Sequence, residues 1–469
     1  MTRANTSIII AISVFAISGL ATAVQADDKP PIKLTLHPAA EPSPALKYRL
    51  LPPATSQTSG NAAVSYGKVT AEQMNFFKEH ALTDDIDDWQ EMPLEKLRHE
   101  KISLPASSIL FLEQGAKCKY CDWQLPFGEM PFYTIMLPDA QQSRSYSRIL
   151  AVKARIEIAN GKFDDAIKTF QTNYALAANV AQGETLVNGL IGIAIDGLMF
   201  RQITDYVQQP GAPNLYWAFT LLPTPLIDMR RALDIESNAI ELSFPEFRDL
   251  SSTERTPEEW RALFHRFAKQ IIELTASERP KPHAPSPEAL DKACERALPI
   301  AKAALVKNGF SSDKVEAMSV HQIALIYTMQ LHHELMDASI KNYTLPYPTA
   351  LQGIEAAKTL ADRAKADGSE IIPLASLVHP AIWATRTAVA RCDRQIATMR
   401  VIEALRMYAA NHDSKLPNQL SDISEVPIPE DPATVKPFEY RRDGEKAVLQ
   451  GPILGDVPLN YEITMARHK

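Results

Sequence analysis

Two proline-dense ends set the problem this chain has to solve. Seven prolines stand between residues 30 and 53 (30, 31, 38, 42, 44, 52 and 53), and seven more between 417 and 458. Proline lacks the amide hydrogen that an interior helical turn needs and clashes with the turn before it, so neither end can be one long helix. Between them, from about Ala71 to Ala410, apolar residues recur at helical spacing and the periodic stretches stop at polar loops. Glycine is scarce as well, 17 of 469 and about half the usual share, which argues against turn-dense barrels, propellers and glycine phosphate loops. The expectation is a mainly α chain: an irregular, α-solenoid-like helical array. An extended proline-rich arm precedes it, and a small C-terminal β-hairpin cap follows.

The first residues carry a different signal. Arg3 precedes the 13-residue uncharged run Ile8 to Leu20; small residues, Ala21-Thr22-Ala23 and Val24-Gln25-Ala26, follow before Asp27-Asp28. A short positive region, an apolar run too short to span a bilayer and a small-residue cleavage site make a secretory signal peptide over residues 1–26. The mature chain is expected to be exported, periplasmic or secreted, with no later membrane span. Five further segments are expected: an arm over 27–70, a helical region over 71–277, the linker 278–287 (ERPKPHAPSP), a second helical region over 288–412, and a β-containing tail over 413–469.

Several helix starts are legible. Thr256-Pro257-Glu258-Glu259 places a cap, a first-turn proline and an acid at the third helical position. Ser286-Pro287-Glu288 does the same, Asn308-Gly309 ends that helix, and Ser319 with Gln322 opens another reaching about Tyr343. Pro380 reads as the start of a helix running to Ala410. In the arm, Lys33 to His37 alternates as a short strand would. In the tail, Phe438-Glu439-Tyr440 and Ala447-Val448-Leu449 flank Asp443-Gly444, a hairpin turn signal. Asp84 to Asp88 lacks the loop glycine and distal glutamate of a calcium hand and reads as a solvated acidic turn or helix start.

The centre holds a helical hairpin, Arg148 to Ala159 and Phe163 to Val180, with Asn160-Gly161-Lys162 at the reversal. Leu150, Ala154, Gly161, Phe163, Ala166 and Phe170 stand at the spacing of a tetratricopeptide unit, which this hairpin resembles. Small Ala154 and Ala166 let the helices approach, and Phe163 and Phe170 fill the groove between them. Lys153, Glu157 and Asn173 depart from that pattern. The tail, through Leu416, Pro417, Asp431, Pro432, Thr434, Pro437, Phe438 and Tyr440, is similar to the C-terminal part of bacterial pseudopilin-like proteins. Through Pro44 to Pro53, Cys121 to Pro126 and Gln209 to Leu233, the chain resembles an uncharacterised family of exported bacterial helical proteins. That resemblance implies a location and an architecture, and no activity.

Export places the four cysteines in an oxidising compartment. Cys118 and Cys121 form C-K-Y-C followed by Asp122, where haem attachment would need histidine. A local disulfide is the expectation, with two free thiols as the alternative. Cys294 and Cys392 sit on apolar helical faces and read as core. Ser65-Tyr66-Gly67-Lys68 is a chance S-x-x-K, without the partner motifs of that chemistry. His321 and His332 share a helical face but lie about 16 Å apart along the axis, too far to share a metal. His332 and His333 read as solvated or interfacial. No catalytic, cofactor or metal-ligating set emerges, and none is expected. The net charge of −7 gives no footprint for nucleic acid. Two functions stay open: binding or scaffolding of a protein or peptide in the cell envelope, or an exported hydrolase or lyase acting on glycan with carboxylates from distant helices.

Overall fold

The computed structural model describes residues 30–79, 82–275, 285–455 and 457–467. The export segment 1–26 and positions 278–284 of the expected linker lie outside them. The described chain is mainly helical, with a small sheet region towards its C-terminal end. Its longer helices are α1 (Ala62–Glu79), α2 (Leu82–Glu91), α3 (Ala106–Ala116), α4 (Pro138–Ala159), α5 (Phe163–Ala181), α6 (Leu186–Tyr206), α7 (Pro257–Thr275), α8 (Pro287–Lys307), α9 (Val320–Ile340), α10 (Tyr347–Ala366) and α11 (Leu374–Asn411). The chain divides into two compact units. A sheet-bearing unit takes residues 30–124, 137–232 and 387–467; a helical unit takes 125–136 and 233–386, and the chain crosses between them within α11.

In the sheet-bearing unit both proline-rich ends are used. β1 (Ile32–Leu36) runs parallel to β6 (Val457–Met465), pairing Ile32 with Tyr461 and Leu36 with Met465. β6 is antiparallel to β5 (Lys446–Leu454), and β5 to β4 (Glu439–Asp443), in the order β1-β6-β5-β4. Along β6 the residues Leu459, Tyr461, Ile463 and Met465 are buried and their neighbours are not, which is the period-two pattern of a sheet with one face on a core. Gly444, at φ +59°, makes the β4–β5 turn. The expected hairpin is there, but it is half of a four-stranded sheet.

The hairpin α4–α5 forms with Gly161 at φ +68° reversing the chain. Leu150, Ala154, Ala166 and Phe170 are fully buried. Phe163 and Phe170 both meet the ring of Tyr206 on α6 edge-on, at 5.6 and 5.5 Å between centroids. The three residues that depart from the repeat pattern are polar connectors. Lys153 Nζ donates to Glu157 (2.6 Å) and to Thr169 Oγ1 (2.7 Å), and Thr169 donates on to Glu157 (2.7 Å). Asn173 accepts from Ser147 Oγ (2.7 Å) and donates to the Ile195 carbonyl (3.1 Å), tying α4, α5 and α6 together. Gly192 sits where a Cβ would stand 2.8 Å from the Ala177 carbonyl, so glycine sets how closely α6 approaches α5. α6 is long and apolar enough to cross a membrane by composition, but two-thirds of that stretch is buried inside the protein.

In the helical unit the legible starts hold. Thr256 Oγ1 accepts from the Glu259 amide (3.2 Å) while the Glu259 carboxylate accepts from the Thr256 amide (2.8 Å), a reciprocal capping box opening α7. Ser286 and Ser319 cap α8 and α9, their hydroxyls accepting from the amides of Ala289 and Gln322. α8 and α9 pack on each other, with α7 against α9. Trp260, Phe264, Phe267, Leu290, Cys294, Ala301 and Leu305 lie in their shared core.

Three of these sequence expectations differ from the structure. The arm ends earlier: α1 begins at Ala62 rather than near 71, where Asn61 Oδ1 accepts from the Ala63 amide (3.1 Å) beyond the last proline of the arm. α11 begins at Leu374, so Pro380 lies inside the helix and not at its start. His332, expected in a solvated or interfacial place, is buried on α9. The acidic stretch Asp84 to Asp88, expected as a turn or helix start, does fall towards the start of α2.

Candidate functional site

A cavity of about 830 Å³ opens in the sheet-bearing unit, within the roughly 300–1,000 Å³ of small-ligand sites. Its walls come from the end of α2, from α4, from the C-terminal half of α6, from α11 and from the β1/β6 side of the sheet. Phe200, Leu459 and Tyr461 supply apolar surface, and the lining also holds Arg155, Arg201, Arg391 and Arg394 with two carboxylates, Glu91 and Asp205.

Two of these arginines are built into the wall. Arg155 on α4, its side chain 7% exposed, pairs with Asp205 on α6 and donates to Gln202 (3.2 Å) and to the Met92 carbonyl. Arg394 on α11 donates to Asp431 (2.9 Å) and to the Pro452 carbonyl (2.6 Å), with both side chains of that pair at 5% exposure or less. Removing guanidinium groups from water is costly, and these pairs and carbonyl contacts offset much of that cost. One donor on each is left over: Arg155 Nε and Arg394 Nε are buried without a hydrogen-bond partner. Arg201, by contrast, is exposed at the rim.

Behind the wall lies one more carboxyl. Asp196 on α6 is fully buried, and the thiol of cavity-lining Cys392 donates to its Oδ2 at 3.3 Å. Burial pushes Asp196 up to about 7; the thiol contact pulls it down and the Asp393 charge adds to the rise. The same burial, with Asp196 beside it, pushes the Cys392 thiol far above its ordinary range, so Cys392 is no thiolate nucleophile. Asp205 is already paired with Arg155, which leaves Glu91 as the lining carboxylate outside that pair. The arrangement suits holding a negatively charged group better than acid–base turnover.

The residues singled out in the sequence fall elsewhere. Leu150, Ala154, Gly161, Phe163, Ala166 and Phe170 build the hairpin, and none lines the cavity. Cys118 and Cys121, expected as a disulfide, are separate thiols. The reason is the strand β3 (Cys118–Tyr120), which runs parallel to β2 (Thr58–Asn61). An extended strand carries successive residues away from one another, against the close approach that a disulfide needs. Burial pushes the Cys121 thiol up, which removes it from redox nucleophile chemistry as well. The turn after it is held by Asn61, paired with the Asp122 backbone at 2.7 and 2.9 Å, and by Trp123, which donates to the Asn179 carbonyl (3.2 Å). The cavity had one sequence signal: Asp196, Arg201 and Asp205 are the charges on an otherwise apolar helix, α6.

His321 does not meet His332. On α9 it faces His265 of α7 and Asp291 of α8, a second polar cluster that belongs wholly to the helical unit. No protein-family model, curated protein or solved structure matches this chain.

Proposed function

We propose that this chain is an exported helical binding protein of the cell envelope, and that its cavity takes a carboxylate- or phosphate-bearing ligand of small-molecule or short-peptide size. The observation that carries the reading is the cavity wall, to which three helices bring four arginines, with Arg201 exposed and Arg155 and Arg394 held in place by their own carboxylates. Arginine is the side chain best shaped for planar recognition of such groups. Export rests on the signal-peptide pattern of residues 1–26. The tetratricopeptide-like hairpin within an irregular helical array, and the proline-rich arm, belong to the same reading. Buried Ala154 and Ala166 support it, together with the polar ties that replace the repeat's usual packing residues.

The test is binding to the purified mature chain by calorimetry, with an acidic peptide, an isosteric neutral peptide, an organic phosphate and an oligosaccharide. The acidic ligands should bind and weaken with added salt, and Arg201→Ala should lower their affinity about tenfold. Preference for the neutral peptide would refute the charge argument. Cleavage of the oligosaccharide, abolished by Glu91→Gln, would establish the glycan hydrolase or lyase instead.

A further inference from the structure

His265, Asp291 and His321 come from three helices, α7, α8 and α9, and meet at one point. Asp291 Oδ1 lies 2.7 Å from His265 Nε2 and 2.8 Å from His321 Nε2. The three ligand atoms all fall within 4.8 Å of one another. The helix caps at Thr256, Ser286 and Ser319 fix where each helix begins, and so the register that brings these residues together. The ring of Phe264, wholly buried, lies 5.9 Å from His265 and 5.6 Å from His321 and floors the cluster. The other side is open, with side-chain exposures of 20, 23 and 14% for His265, Asp291 and His321.

The opposite oxygen of the carboxylate is held independently. Arg261 Nε and Nη2 donate to Asp291 Oδ2 at 3.1 and 2.6 Å. The Arg261 guanidinium and the two imidazole nitrogens together surround this carboxylate with donors, which favours its ionised form. An ionised carboxylate only accepts, so each Nε2 carries the hydrogen in the metal-free cluster.

We propose that His265, Asp291 and His321 form a divalent transition-metal site, fitted to zinc, with an open coordination position facing solvent. Two imidazoles and one carboxylate are a donor set zinc accepts, and three protein ligands with a free fourth position are the pattern of an open site. Tetrahedral zinc at about 2.0–2.1 Å from each donor needs donors about 3.3 Å apart, so the side chains must spread by about half an ångström. The metal takes the place of the two Nε2 hydrogens: a neutral ring moves its proton to Nδ1, and a charged ring releases one to solvent. Arg261 is then the positioning residue that orients the carboxylate from outside the ligand set.

The test is titration of the chelator-treated full chain with zinc, read by calorimetry and by metal content after dialysis. One equivalent should bind, and His265→Asn and His321→Asn should each weaken it by a hundredfold or more. Asparagine keeps a donor for Asp291, so the metal-free variants should melt as the parent does. On the unmutated chain, zinc should protect His265 and His321 from acylation by diethyl pyrocarbonate, mapped by mass spectrometry, and leave exposed His333 reactive. Zinc bound equally by both variants, or no protection of these two rings, would overturn the site.

Discussion

In the sheet-bearing unit Asp196 has a thiol for company and sealed surroundings; in the helical unit Asp291 has a guanidinium, two imidazoles and solvent. The first is driven up to about 7 by burial, and the second is driven well below its ordinary value by Arg261 and the two histidines. The residue type is the same. What differs is whether the fold supplies positive partners before it removes water, and that decides which region suits a cation and which an anion. A neutral Asp196 behind Cys392 adds no negative charge to a cavity wall that carries four arginines; a charged Asp291 gives a metal its anionic ligand.

The comparison extends to the arginines. Arg406 on α11 is fully buried with Glu403, donating to both carboxylate oxygens (3.0 and 2.8 Å) and to the carbonyls of His37 (3.0 Å) and Ala212 (2.6 Å). It fastens the arm to the long helix. Arg406→Leu would strand a buried carboxylate and is expected to cost about 3–5 kcal/mol in urea unfolding. Arg261→Ala removes a half-exposed, solvent-screened partner and should leave the urea midpoint nearly unchanged. Equal losses would erase the distinction between the sealed and the open cluster.

A second outcome concerns pH. Asp196 binds its proton more tightly folded than unfolded, so its contribution is fully present below pH 3.8 and is lost as pH rises through about 7. Folding stability should fall by roughly 4 kcal/mol from this group between about pH 4 and about pH 8, and Asp196→Asn should remove that share of the slope. Glu403, also raised by burial, contributes in the same direction and persists in the variant. Asp291 has the opposite sign: its contribution is present above pH 3.8 and is lost only in stronger acid.

Local chemistry made part of this legible. Thr256, Ser286 and Ser319 announce their helices because a cap and its partner are three residues apart. Gly161 and Gly444 announce turns because the backbone there demands positive φ. The alternation of Leu459, Tyr461, Ile463 and Met465 was also readable, but Pro452 and Pro458 disguised the strand. Pairings between distant segments were not. Arg155 meets Asp205, and His265 meets Asp291 and His321, through helix packing, which no local spacing encodes. The C-K-Y-C pair misled for a related reason: its spacing permits a turn, and only the pairing with β2 makes it a strand.

The charge states of two aspartates distinguish the two units most directly. Carbon-13 NMR of the chain labelled at aspartate carboxyls, followed from about pH 2 to about pH 9, reads both at once. Asp196 should titrate near 7 and Asp291 well below 3.8, each assigned by its loss in the asparagine variant. Two ordinary titrations near 3.8 would contradict the claim that these regions hold one carboxyl neutral and the other charged.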